Sequence, residues 1–174
     1  MQSPHSPLAD RIDPVEVIRQ AQRAQQRFWP GFSASVASVL VAAPVTAITL
    51  NALGLVIGNV TLKGEDGARA AVGVDDKTET ATFRFPHALA PGRHTLAIAY
   101  SGKISAQPAG IYDADYDAGG DRKRLLVTQF EETDARRMFP CWDEPAFKAT
   151  FTLSATLPAN LSAVSNMPEA REED

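Results

Sequence analysis

The stretch Thr128-Gln129-Phe130-Glu131-Glu132-Thr133-Asp134-Ala135-Arg136-Arg137-Met138-Phe139-Pro140-Cys141-Trp142-Asp143-Glu144-Pro145-Ala146-Phe147-Lys148-Ala149 is the most informative in the chain. Its start reads as the end of a strand over Arg124 to Phe130. If Thr128 to Glu131 is extended, Gln129 and Glu131 point to one face and Phe130 to the other, because side chains alternate along a strand. Pro140 and Pro145 lie five residues apart with aromatic residues between them, so neither a regular helix nor a paired ladder can run through the segment. It must be an ordered, irregular connection. Arg136 and Asp143 are expected to pin it, since a guanidinium can meet a carboxylate through two bonds at once and satisfy further acceptors. Phe139, Trp142 and Phe147 are expected in the core, and Lys148 has no special role.

Upstream, the pattern is that of strands. β-branched residues concentrate in Val36 to Val41 and Val45 to Leu50 around a break at Pro44. Leu55-Val56-Ile57 and Val60-Thr61-Leu62 continue it, interrupted by Gly58-Asn59, and Lys63 to Gly67 reads as a turn. Thr80, Thr82 and Arg84 alternate with Ala81, Phe83 and Phe85, a half-buried strand ended by Pro86. Leu96, Ile98 and Tyr100 share one side of the next strand, which Ser101-Gly102 closes. A long polar loop is expected between it and Arg124. Downstream, Phe147 to Leu157 and Leu161 to Val164 read as two more strands. Many short strands without alternating helices predict an all-β, antiparallel β-sandwich or open barrel.

Residues 1–30 have a different character. Asp13-Pro14-Val15-Glu16 reads as a helix start, with Asp13 as cap and Pro14 in the first turn, and Val17, Ala21, Ala24 and Phe28 recur at helical spacing. The expected organisation is an atypical, partly helical segment over 1–30, with Met1 to Ala9 disordered, followed by one β domain over 31–174.

The 174 residues are 44% hydrophobic, enough for one sizeable core. The formal net charge of −4 leaves no basic field to hold polyanions, which argues against nucleic acid as a partner. The single cysteine, Cys141, excludes an internal disulfide and fits a reducing, cytoplasmic setting. The apolar stretch Ser33 to Ile57 is broken by Pro44, Asn51 and Gly54 and reads as strands, so no membrane association is expected.

The segment quoted first resembles the signature of the N-terminal domain of the M1 zinc aminopeptidases. There a Thr-Gln-x-Glu/Gln strand end precedes Ala-Arg, then Phe-Pro-Cys-x-Asp-Glu-Pro and Lys-Ala-x-Phe. Ile48-Thr49-Leu50-Asn51-Ala52, Gly110-Ile111-Tyr112 with Tyr116, and Ser165-Asn166-Met167-Pro168 resemble the family's flanking segments, so the likeness runs from about Val45 to Pro168. Before about Ser33 it fails, since the family opens there with an extended Tyr-x-Leu-x-Leu run.

The resemblance implies a saddle-like β domain that caps the active-site cleft of the enzyme. It implies that Glu131, with Gln129 beside it, binds the free α-amino group of a peptide substrate. A carboxylate meeting an ammonium in a water-poor cleft makes a charge-assisted bond about twice as strong as a neutral one. Arg136, Pro140, Asp143, Glu144 and Pro145 carry the structural signature. The family's zinc is held by the two His of His-Glu-x-x-His and a downstream Glu, and a Gly-x-Met-Glu-Asn strand also binds the amine. Neither motif occurs in this sequence. The expectations are therefore no catalytic residue, no metal and no cofactor in this chain, a domain truncated before the zinc-bearing part, and a catalytic domain as its partner. The chain alone should be inactive. A standalone β-sandwich interaction module and a non-functional gene fragment are the alternatives.

Other patterns are weaker. Asp113-Ala114-Asp115-Tyr116-Asp117 begins like a calcium loop, but Ala118 stands at its sixth position and Arg124 at its twelfth. His5, His87 and His94 are scattered, without ligand spacing. The acidic tail Glu169 to Asp174 reads as a solvated end.

Overall fold

The computed structural model describes residues 34–64 and 67–172. The helix expected over Asp13 to Phe28, the domain boundary near residue 30 and part of the Lys63 to Gly67 turn lie outside the described residues. The described residues form eight strands: β1 Ala34–Val41, β2 Val45–Asn51, β3 Leu55–Leu62, β4 Ala71–Asp75, β5 Thr80–Leu89, β6 Gly92–Gly102, β7 Gly110–Ala118 and β8 Asp121–Gln129. Every strand pair is antiparallel, and the expected all-β class is what the chain adopts.

Two three-stranded sheets, ordered β1-β6-β3 and β2-β5-β4, close around one core. Alternation supplies it from both sides. Leu96, Ile98 and Tyr100 on β6 are buried, as the i, i+2, i+4 spacing requires, and Ala81, Phe83 and Phe85 on β5 meet Ile48 and Leu50 on β2 within the same cluster. Fully burying a side chain the size of Phe83 contributes about 1.5 to 3 kcal/mol.

Several local expectations are corrected. Pro86 does not end β5, which continues to Leu89. The register with β2 shifts between Val45 and Ala47, so Pro86 falls where the ladder is interrupted and its missing N–H leaves no bond unmade. Gly58-Asn59 likewise does not divide two strands but forms an irregularity inside β3, between Ile57 and Val60.

The expected polar loop before Arg124 is instead a two-stranded ribbon, β7 and β8, in register from Gly110↔Gln129 to Ala118↔Asp121. Gly119 and Gly120, both at positive φ (66° and 87°), make the two-residue turn that right-twisted strands favour. Asp115 receives Arg124 Nε at 2.7 Å and Arg122 Nη2 at 3.1 Å, so cross-strand charge takes the place of the apolar alternation by which a strand is usually read.

The strands expected at Phe147 to Leu157 and Leu161 to Val164 do not form. The alternation is present, but no described strand pairs with this segment. Phe151, Leu153 and Val164 are left 60%, 67% and 96% exposed. Phe147 is also exposed, contrary to its expected core placement. Its N–H bonds to Glu144 O in the Pro145-Ala146 turn, which sets the ring on the outer side of Trp142 at 6.3 Å between centroids. Phe139 and Trp142 are partly buried against the core.

Candidate functional site

β8 ends at Gln129, and the irregular connection begins at once. Phe130 O accepts the N–H of Asp134 at 3.0 Å, closing a turn, and a single 3₁₀ turn follows over Ala135–Arg137. Glu131 thus lies just past the strand and not on it, and strand alternation does not place its side chain. Its link to Gln129 is kept by a different device, the Glu131 N–H donating to Gln129 Oε1 at 3.1 Å. Both residues are exposed.

Below this end the chain is tied to the core by polar contacts on Arg136. Its Nε donates to Asp143 Oδ2 at 2.9 Å and its backbone N–H to the same oxygen at 3.0 Å. Nη1 reaches Glu79 Oε2 at 2.8 Å, and Nη2 reaches the Asp143 carbonyl at 3.4 Å. The Arg136 carbonyl accepts the Leu53 N–H at 3.0 Å. Asp143 N–H in turn donates to Asn51 Oδ1 at 3.2 Å, and Asn51 and Cys141 exchange backbone bonds of 2.7 and 3.1 Å. The connection is therefore anchored to the end of β2 and to the β4–β5 turn. Burial opposes the charge on Arg136, but the hydrogen bonds to Asp143 and Glu79 outweigh it and raise the guanidinium pKa.

Sequence reasoning singled out Arg136 and Asp143 but not Glu79 or the Asn51 side chain. Glu79 sits at φ +54° in the β4–β5 turn, where its carbonyl accepts the Ala52 N–H at 2.8 Å. No local pattern marks it, because its partner is 57 positions away. Pro140 is buried, whereas Glu144 and Pro145 are exposed.

Gly110, at the base of the ribbon, has φ +71°, and a Cβ there would lie 2.6 Å from Arg137 Cβ. Only glycine admits both the backbone conformation and the close approach of the 3₁₀ turn. Arg137 is itself held by Asp134, Nε to Oδ1 at 2.6 Å.

Cys141 is buried. Burial first, and the Asp143 carboxylate second, push its thiol up to about 12 against the opposing Arg136 charge. A protonated, enclosed thiol is a poor nucleophile. His94 is buried with Nε2 donating to Ala90 O at 2.8 Å. Among the described residues no three His, Cys, Asp or Glu side chains are grouped to hold a metal, so this part of the chain does not fit the family's zinc. Asp113 and Asp115, the start of the calcium-like pattern, are ion-paired with Arg124 across the ribbon. No described helix is long and apolar enough to cross a membrane.

The family model for the Peptidase M1 N-terminal domain matches residues 25–174, and the chain belongs to that family. Aminopeptidase N of Acetobacter pasteurianus is 54% identical over 129 residues, covering 74% of this chain and 36% of the relative. Aminopeptidase M1-D of Oryza sativa subsp. japonica is 38% identical over 158 residues, 87% of this chain and 18% of the relative. Human glutamyl aminopeptidase is 43% identical over 82 residues, 47% of this chain and 9% of the relative. The chain thus spans about a third or less of the length of these relatives.

Proposed function

We propose that this chain serves as the N-terminal β domain of a zinc aminopeptidase that removes amino acids from the N-termini of peptides. It caps the active-site cleft and presents Glu131, with Gln129 beside it, to the substrate's α-ammonium. The zinc and the hydrolytic groups belong to a catalytic domain outside this chain, and the 174 residues alone do not cleave peptides. The single buried cysteine fits a reducing, cytoplasmic setting.

The observation that carries this reading is an exposed carboxylate, Glu131, held at the rim of a connection whose root is bonded on three sides through Arg136. A binding group is useful when its support is rigid, because ordering it on contact would cost affinity. Gln129 Oε1, by holding the Glu131 backbone N–H, limits the directions the carboxylate can take.

The test is Glu131→Ala in this chain joined to an M1 catalytic half. Substrates with a free α-amine should lose about 1.5 to 3 kcal/mol of transition-state binding, the worth of a hydrogen bond to a charged group, while analogues lacking the amine are handled as before. Equal losses on both would remove the role. Turnover by the 174-residue chain alone, surviving repurification, would overturn the division of labour.

A further inference from the structure

We propose that Arg137, together with Asp134 and Gly110, is the positioning device that fixes the direction of Glu131 toward the substrate's α-ammonium. This rests on the reading that Glu131 is the amine-binding carboxylate.

Glu131 lies past the end of β8, so no ladder holds it, and it is carried by the short link from Phe130 to Asp134. A carboxylate on such a link is aimed only if both ends of the link are fixed. The entrance is fixed by the ribbon and by an aromatic contact. Gln129 is paired with Gly110, and the Phe130 ring meets Phe139 edge-on at 5.9 Å between centroids, with Phe139 itself packed against the core. The exit is fixed at Asp134, which is bonded through three groups. Its N–H donates to Phe130 O at 3.0 Å, its carbonyl accepts the Arg137 N–H at 3.2 Å, and its Oδ1 accepts Arg137 Nε at 2.6 Å.

Arg137 then closes the link on the residue beside which it began. A Cβ on Gly110 would lie 2.6 Å from Arg137 Cβ and 3.4 Å from the Asp134 carbonyl oxygen. Because Gly110 is the partner of Gln129, the entrance and the exit of the Glu131 link rest against one residue. The two neighbouring arginines therefore divide the work. Arg136, 12% exposed, turns inward to Asp143 and Glu79 and holds the connection to the core. Arg137 is 44% exposed and bonds within the link's own end, to an Asp134 side chain that is 24% exposed. An ion pair this exposed contributes little to folding. What it restricts is the path of the chain from Glu131 to Thr133, and misplacing a binding group by about 1 Å can cost about a hundredfold in rate.

The experiment uses this chain in place of the matched segment of the Acetobacter aminopeptidase N. The readout is the ratio of kcat/KM for a substrate with a free α-amine to that for the analogue lacking it. Arg137→Ala should lower this ratio about tenfold, within what a misplaced group can cost, and leave the unfolding midpoint nearly unchanged. Arg137→Lys should bring the ratio back to within about twofold of the native value, because Arg137 uses a single side-chain donor on Asp134, which an ammonium can replace. With Glu131→Ala already in place, Arg137→Ala should lower the ratio no further, since two residues acting through one contact do not add. A merely structural role would not show that dependence. An equal fall with and without Glu131 overturns the proposal, as does a native ratio in Arg137→Ala or a failure of Arg137→Lys to restore it. Gly110→Ala, which forces Arg137 away, should lower the ratio too, and a folded Gly110→Ala with the native ratio would overturn the shared support. Glu131→Ala alone separates the two readings. An unchanged ratio there removes the amine role and this proposal with it, whereas a fall there beside a native ratio in Arg137→Ala removes the positioning role alone.

Discussion

Arg136 meets Asp143 Oδ2 twice, through guanidinium Nε at 2.9 Å and through its backbone N–H at 3.0 Å, so that one carboxylate oxygen closes the irregular chain from 136 to 143. Their side chains are only 12% and 8% exposed. Removing Arg136 leaves Asp143 as an uncompensated buried charge, which typically costs about 3 to 5 kcal/mol, and removing Asp143 leaves Arg136 with Glu79 alone, a partner that is 39% exposed. Asp143→Ala should therefore lower the urea midpoint sharply, and Arg136→Ala similarly. The paired replacement Arg136→Met with Asp143→Leu should cost less than either single change. Single losses below about 1 kcal/mol, the range of exposed pairs, would show that the clamp contributes little.

Asp115 provides a test on the ribbon. Hydrogen bonds from Arg124, and then from Arg122, hold its carboxyl down from 3.8 to about 2. A depressed folded value means that the contribution is present above about pH 4, the unfolded range, and is lost as pH falls toward 2. NMR titration should place the Asp115 midpoint near its depressed value, and Arg124→Gln should bring it back toward 3.8. High salt should do the same in part, because the group is exposed and screening reaches it.

Cys141 acts at the other end of the scale. Burial raises the thiol from 9.0 to about 12, so its contribution is complete below pH about 9 and is lost as pH rises toward 12. Tyr100, also raised by burial, acts in the same sense. Urea midpoints of the native chain should fall between pH 9 and 11, and Cys141→Ala, although less stable overall, should show a shallower fall. At pH 8 iodoacetamide should modify Cys141 only as the protein unfolds. Rapid labelling of the native state would contradict the enclosure seen here.

The segment after Phe147 should make the isolated chain associate. Phe151, Leu153, Val164 and Met167 expose apolar surface on a stretch that alternates like a strand and has no ladder partner among the described residues, a template for intermolecular pairing. Light scattering at micromolar concentration should detect aggregates, and Leu153→Lys with Val164→Lys should reduce them without moving the unfolding transition of the core. A monodisperse monomer unfolding cooperatively above about 60 °C, the upper mesophile range, would instead mark a self-sufficient domain.

How far each element could be read depended on where its partner lay. Leu96, Ile98 and Tyr100 announced a buried face because alternation is local and survives any topology. The two prolines of the 128–149 stretch announced an irregular connection for the same reason, since the lost N–H and fixed φ act at their own positions. Of the ribbon only the second strand was read, over Arg124 to Phe130; the first was hidden because it is held by Asp115 with Arg122 and Arg124, and the Gly119-Gly120 turn was its one local sign. Phe147 to Leu157 shows the converse error: a strand-like alternation forms no strand without a neighbour to bond.

By itself, then, the amino-acid sequence determined the strand periodicity, the all-β class, the absence of a His-Glu-x-x-His set and the identity of the Thr128 to Ala149 signature, because each rests on residues close together in the chain. Only the tertiary structure decided that Glu79 and Asn51 complete the Arg136–Asp143 clamp. It also decided that Asp113, Asp115, Arg122 and Arg124 share one side of the ribbon and Tyr112, Tyr116, Leu125 and Val127 the other. Those relations depend on contacts between distant segments, and a contact of that kind leaves no pattern along the chain until the sheets have brought its partners together.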